Sequence, residues 1–261
     1  MNCNRTKIGP CSVCGLVRKL SYEHVPPESA FNDSEVLVSD IRKVIGSDLL
    51  EELQNPSGRI NQRGAGGYTL CEKCNNITGS WYGAAYVDFV KAVYPIANRV
   101  RPGELAYFSV RCKPQNVLKQ IITMFCSACG PNFATKKPEV IRYILNREIC
   151  SLPQDISVFL AFFDRHSSRA TRQSGITGRL SLDAGSHIYS EISFPPFNIV
   201  MTLNSPAPHP RLFEITWFKE FNYGESAWVN LRLWNLAVNS FFPGDYRTYD
   251  ELTANSTKSS E

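Results

Sequence analysis

Two Cys-x-x-Cys pairs near the N-terminus, Cys11/Cys14 and Cys71/Cys74, and a run of short alternating segments after residue 150 predict an α+β protein. The cysteine pairs mark a small module over residues 1–100. The alternating segments mark an α+β domain over residues 101–252 with a mainly antiparallel sheet. A Ser/Thr-rich tail over residues 253–261 is expected to be disordered.

In chain order, residues 8–15 read as a short strand ending in the first cysteine turn, and residues 20–25 as a second strand carrying Glu23 and His24. Pro26-Pro27 ends that strand, because proline offers no backbone donor to a ladder. Over residues 34–53, Val36, Ile41, Val44, Ile45, Leu49, Leu50 and Leu53 recur at near-helical spacing and predict an inserted helix. Pro56-Ser57-Gly58 and Gly64-Ala65-Gly66-Gly67 mark turns leading to Tyr68-Thr69-Leu70. A helix is predicted from about residue 74 to residue 95, burying Tyr82, Ala85, Tyr86, Phe89, Val90 and Val93. Residues 104–112 predict a strand, residues 114–126 a helix opened by Pro114, and residues 138–146 another helix. Strands are predicted over 156–163, 178–182, 187–194, 197–203, 211–221 and 228–236.

The bulk numbers narrow the class. An apolar fraction of 43% in 261 residues is ordinary for a globular chain. A formal charge of +4 is compatible with nucleic acid without requiring it. No apolar run approaches the roughly 18–20 residues that cross a bilayer, so no membrane segment is expected. The first residues lack the apolar core of a secretory signal. Nine cysteines without an export signal favour reduced thiols and metal binding, and a cytoplasmic protein.

Each Cys-x-x-Cys turn presents two sulfurs, and two such turns complete a tetrahedron with bonds of about 2.3 Å. Cys11, Cys14, Cys71 and Cys74 are therefore read as ligands of a structural Zn²⁺ that braces a module too thin to hold itself. Between the pairs, His24 adjoins Glu23, and an imidazole held beside a carboxylate can activate water near a metal ion. Its ordinary pKa near 6.5 leaves it mostly neutral at cellular pH. Neighbours on a flat strand point to opposite faces, so the pair works together only if the strand is twisted or bulged. The bland alternative has Glu23 in a local salt bridge and His24 capping a turn.

The stretches Cys11-Ser12-Val13-Cys14-Gly15, Glu23-His24-Val25-Pro26-Pro27, Gly64-Ala65-Gly66-Gly67 and Leu70-Cys71-Glu72-Lys73-Cys74-Asn75 resemble the HNH endonucleases. The resemblance covers roughly the first third of the chain and implies a zinc-stapled ββα-metal (HNH-like) module. It implies metal-dependent hydrolysis of DNA phosphodiester bonds, with His24 as general base. It further implies Glu23 as one ligand of a catalytic divalent ion and Asn75, or the adjacent Asn76, as another. An acid and an amide make an all-oxygen set, which suits Mg²⁺ or Mn²⁺. Glu23 stands where the family usually carries Asp. Gly66-Gly67-Tyr68 fills the stretch where the family carries a histidine-orienting asparagine, with Asn61 as the candidate substitute.

Beyond the module, Cys126 and Cys129 with Cys112 and Cys150 make either a second zinc site or buried apolar packing, and their helical setting favours packing. Arg165, Arg169, Arg172 and Arg179 lie in and beside a Ser/Thr/Gly-rich loop. They would either grip phosphates without reading sequence or form a solvated surface. The expected partner is DNA, with RNA as an alternative, and no membrane; self-association through the C-terminal domain is a further reading. A cutter joined to an unrelated domain is a layout also met in defence against foreign DNA, an analogy of architecture only. The alternative function is a catalytically degenerate zinc-knuckle protein that binds nucleic acid.

Overall fold

The computed structural model describes residues 7–40, 58–168, 170–181 and 185–256. Strand β1 (Ile8–Pro10) runs antiparallel to β2 (Val17–His24), with the first cysteine turn between them. The inserted helix expected over residues 34–53 starts instead as a strand, β3 (Val36–Val38). This β-branched run finds a partner in β4 (Arg59–Asn61), and the backbone pairing outweighs the helical spacing. Residues 41–53 of the expected helix lie outside the described residues. Strand β5 (Gly66–Cys71) then pairs with β2, completing a three-stranded sheet in the order β1-β2-β5.

The long helix expected from residue 74 is a composite of three pieces. Helix α1 (Glu72–Thr78) opens directly after Cys71, a π-helical turn spans Gly79–Gly83, and α2 (Ala84–Ala97) follows. Strand β6 (Leu105–Cys112) leads into α3 (Pro114–Cys129), α4 (Pro131–Thr135) and α5 (Pro138–Leu145). Each of these three helices has proline in its first turn, where the missing N–H removes no helical bond. Helix α3 is buried from Pro114 to Ser127 and forms the axis of the molecule.

The large sheet contains β7 (Ile156–Phe163), β8 (Arg172–Gln173), β9 (Thr177–Ser181), β10 (Gly185–Phe194), β11 (Phe197–Leu203), β12 (Phe213–Glu214) and β13 (Ala227–Leu236). Its eight strands run along the path β6-β13-β7-β11-β10-β8, with β12 added to β7 and β9 to β10. Every pairing is antiparallel except the short β13–β7 contact, Asn235↔Phe162 and Leu236↔Phe163. The chain is thus α+β with a mainly antiparallel sheet. The strand expected over residues 211–221 shrinks to β12, followed by a 3₁₀ turn over Thr216–Glu220. The buried residues Leu212, Ile215 and Phe218 recur every third position, the period of a 3₁₀ turn rather than of a strand. The C-terminal segment forms α6 (Tyr249–Ser256), so residues 253–256 of the expected disordered tail are helical.

One apolar core passes through the boundary expected near residue 100. It links Leu70 of β5, Tyr82 of the π turn and Phe89 of α2 to Leu118 and Phe125 of α3 and to Phe162 and Phe197 of the large sheet. Phe89 stacks on Phe197 at 5.3 Å between ring centroids. No described helix is long and apolar enough to cross a membrane. Because Phe89 joins the two ends of this core, Phe89→Ala is expected to cost about 3–5 kcal/mol. Calorimetry should then show a single transition moved to lower temperature. Two independent transitions, only one of them moved, would contradict a shared core.

Candidate functional site

The four cysteines come together. Cys11 and Cys14 lie in the turn after β1, Cys71 ends β5, and Cys74 sits in the first turn of α1. Their sulfurs all lie within 4.8 Å of one another, and Cys14 and Cys71 stand 4.0 Å apart. A tetrahedron with bonds of about 2.3 Å has edges of about 3.8 Å, so the cluster has the right size to hold one metal ion. No described cysteine is in a disulfide. The Cys11 thiol is drawn down to about 4, first by the Cys74 thiol and then, against burial, by backbone N–H groups, while facing Cys11 pushes Cys74 up. The Cys71 N–H donates to the Cys11 sulfur at 3.3 Å. The turn closes through a bond from the Gly15 N–H to the Cys11 carbonyl. Gly15 has φ +73°, and a Cβ there would fall 2.4 Å from Thr135 Cγ2. Among the described residues no other group of His, Cys, Asp and Glu is arranged for a metal.

Glu23 and His24 share a cavity of about 470 Å³ with Asn75, Thr78, Gly83 and Gln120. The register of β2 on β5 slips between Ser21 and Tyr22, just before Glu23 and His24, which pair with Gly67 and Gly66. Gly66 pairs with His24, and a Cβ on it would lie 2.1 Å from the Glu23 carbonyl oxygen. Only glycine permits so close a pairing.

Glu23 is 6% exposed. Its Oε2 accepts from Thr69 Oγ1 at 3.1 Å and from the Ser127 hydroxyl of α3. Among the described residues Oε1 receives no hydrogen bond and no cation pairs with the carboxylate. Burial pushes its carboxyl up to about 7, against the pull of the two hydroxyls. Asn75 Nδ2 donates to Ser21 Oγ at 3.0 Å and to the Tyr22 carbonyl at 3.2 Å. This fixes the amide and leaves its Oδ1 without a donor. The His24 ring packs edge-on against Tyr22 at 5.1 Å. Asn76 is exposed and outside the cavity, so of the two expected asparagines only Asn75 is placed with Glu23 and His24.

Asn61 does not take over the orientation of His24. Its Nδ2 donates to Tyr22 Oη at 2.7 Å and to the Gly64 carbonyl at 2.8 Å, so it reaches the imidazole only through the Tyr22 ring. The asparagine that shapes the loop after His24 is Asn32, which the sequence reading passed over. It is buried, donates to the Pro26 and Ala65 carbonyls, both at 2.7 Å, and accepts from the Ala65 N–H. Ser127 and Gln120 were missed as well. Both sit on a buried helix whose one motif, Cys126-x-x-Cys129, points to packing and not to the cavity.

The arginines do not act as a set. Arg172 is buried, ion-paired to Glu191 at 2.7 Å and bonded to the carbonyls of Ser240, Phe242 and Asp245. That removes it from any phosphate-gripping surface. Arg165 is exposed and lies over the Tyr94 ring of α2, bonded to its hydroxyl. Arg169 and the side chain of Arg179 are outside the described residues. Cys126 is buried and Cys129 touches Ser190, in keeping with packing rather than a second metal site.

No protein-family model, curated protein or solved structure matches this chain. The chemistry of the cavity therefore rests on its own geometry. The buried acid provides one check. A carboxyl held at about 7 when folded, against 4.5 ordinarily, favours the folded state most at low pH. That advantage is lost as pH rises from about 4.5 to about 7. Without added Mg²⁺ or Mn²⁺, the Tm of the wild type relative to Glu23→Gln should fall through that window by several degrees, on the order of 3 kcal/mol. A difference that stays flat with pH would show that Glu23 is not desolvated.

Proposed function

We propose that this protein is a metal-dependent endonuclease of HNH type that hydrolyses DNA phosphodiester bonds. The observation that carries the reading is the placing of Glu23, His24 and Asn75 around one cavity beside the four-sulfur cluster. His24 is the general base: its imidazole takes a proton from the attacking water. Glu23, through Oε1, and Asn75, through Oδ1, are the groups that would hold a Mg²⁺ or Mn²⁺ ion. Both are hard oxygen acceptors without donors, which fits such a cation. When bound, the ion supplies stabilisation of the charge on the leaving oxygen. Thr69 and Ser127 hold the other carboxylate oxygen in place. Zn²⁺ at Cys11, Cys14, Cys71 and Cys74 fixes the β1–β2 turn to the start of α1.

The cavity lining carries Glu28 and Asp88 besides Glu23, and two cations near it are the groups that would meet a polyanionic substrate. Lys91 is on the rim, and the Arg63 guanidinium rests 4.4 Å from the centre of the Tyr22 ring beside His24. Free thiols at all eight described cysteines fit a reducing cytoplasm.

Purified protein is expected to bind one equivalent of zinc by elemental analysis, lost with folding in Cys71→Ser. In the presence of Mg²⁺ or Mn²⁺ it should nick supercoiled plasmid, and His24→Ala should lower the rate about 10²–10⁴-fold with DNA binding kept. Binding without nicking under either metal would replace this reading with the degenerate nucleic-acid-binding one. Equal nicking by wild type and His24→Ala would remove the base role.

A further inference from the structure

Helix α3 lies outside the strand–strand–helix unit that carries Glu23, His24 and Asn75, yet it lines the same cavity with Gln120. Gln120 is 4% exposed, and its Oε1 is buried with no hydrogen-bond partner. A Cβ added to Gly83 of the π turn would lie 4.0 Å from that oxygen.

The other buried polar side chains of α3 make Gln120 an exception. Gln115 bonds Tyr143 and the Ile149 carbonyl. Asn116 donates to the Trp81 carbonyl and accepts from the Gly224 N–H. Lys119 donates to two carbonyls, Thr123 bonds back to the Lys119 carbonyl, and Ser127 bonds Glu23. An amide left unbonded in a buried position that fails to pair is costly unless something else meets it. Here the neighbours around the cavity are themselves acceptors without donors, Glu23 Oε1 and Asn75 Oδ1. Three oxygens that receive no donor among the described residues, one each from β2, α1 and α3, make an oxygen set that suits a hard cation.

We infer that Gln120 is a third oxygen ligand of the divalent cation that Glu23 and Asn75 hold, so that the second half of the chain completes the metal site. This rests on the cation-binding part of the function proposed above. Its Oε1 has no hydrogen-bond partner, and the two orientations of the amide occupy the same volume, so its carbonyl oxygen is free to turn to the ion. The ligand class is a hard divalent ion, Mg²⁺ or Mn²⁺, taken with water or phosphate oxygens in its remaining positions.

The test is direct cation binding by the full-length, zinc-loaded protein, read by Mn²⁺ electron paramagnetic resonance and without DNA. Gln120→Leu should weaken Mn²⁺ binding about tenfold, and Gln120→Glu, which restores an oxygen and adds charge, should return it to at least the wild-type level. In the wild type, Mg²⁺ should shift the side-chain amide resonances of Gln120, a readout that needs no variant to fold. Wild-type affinity in Gln120→Leu, with binding abolished in Glu23→Gln, would overturn the inference and leave the proposed site standing. An unmoved Gln120 amide at saturating Mg²⁺ would overturn it equally. If the wild type and Glu23→Gln bind Mn²⁺ alike, it is the underlying cation site that fails.

Discussion

A buried carboxylate needs either a proton or a positive charge, and this constraint organises the molecule at two places with opposite results. Glu191 in the large sheet is fully buried and completely matched. Arg172 pairs with it at 2.7 Å, Ser193 bonds it, and the Gly244 N–H reaches its second oxygen. Both carboxylate oxygens are matched from within the fold, so that pair is architecture. Glu23 is nearly as deep, but it meets two hydroxyls on one oxygen and none on the other. Its remaining demand is met by a proton, which is why burial raises its pKa, or by a cation brought from outside. Depth alone does not distinguish the two glutamates. What distinguishes them is whether the fold supplies the counter-charge.

The four-cysteine cluster and the apolar core divide the work of holding Glu23 in this position. The β1–β2 hairpin has little core of its own, since Ile8, Leu16 and Val17 are exposed. Its inner turn is fixed by Cys11 and Cys14 against Cys71 and Cys74. The other wall of the cavity is set by packing: α3 is buried along nearly its whole length and brings Ser127 up to Glu23. A crosslink serves where apolar area is scarce, and close packing serves where it is plentiful.

The cysteine pairs were legible in the sequence because a tetrahedral site demands two tight turns, and each turn writes a local spacing. Glu23 and His24 stood out as an adjacent acid and imidazole shortly before two prolines. The strands at 156–163, 197–203 and 228–236 could be read because apolar residues recur through them, in alternation with polar ones as at Val229, Leu231 and Leu233. The helix expected over 34–53 began as a strand at Val36 because three residues found a partner in Arg59–Asn61, and pairing across a gap leaves no mark in the local period. Arg172 looked like one of a loop's surface cations. Only the fold reveals that it faces Glu191, nineteen positions away.

Ser127 and Gln120 were illegible for a different reason. Helix α3 is buried on every side, so its polar residues at 115, 116, 119, 120, 123 and 127 break the amphipathic pattern without forming another. Gln115, Asn116, Lys119 and Ser127 each meet a distant partner, from Trp81 and Tyr143 to Glu23 and Gly224, whereas Thr123 bonds back within the helix and the Gln120 oxygen meets none. Cys129 at the end of the same helix touches Ser190 of β10. The large sheet therefore positions α3, and α3 brings Ser127 to Glu23 and Gln120 to the same cavity, while Thr69 of β5 bonds the same carboxylate. The cavity belongs to neither half of the chain alone, which gives the shared core a chemical consequence: the sheet that carries no motif still determines what surrounds Glu23.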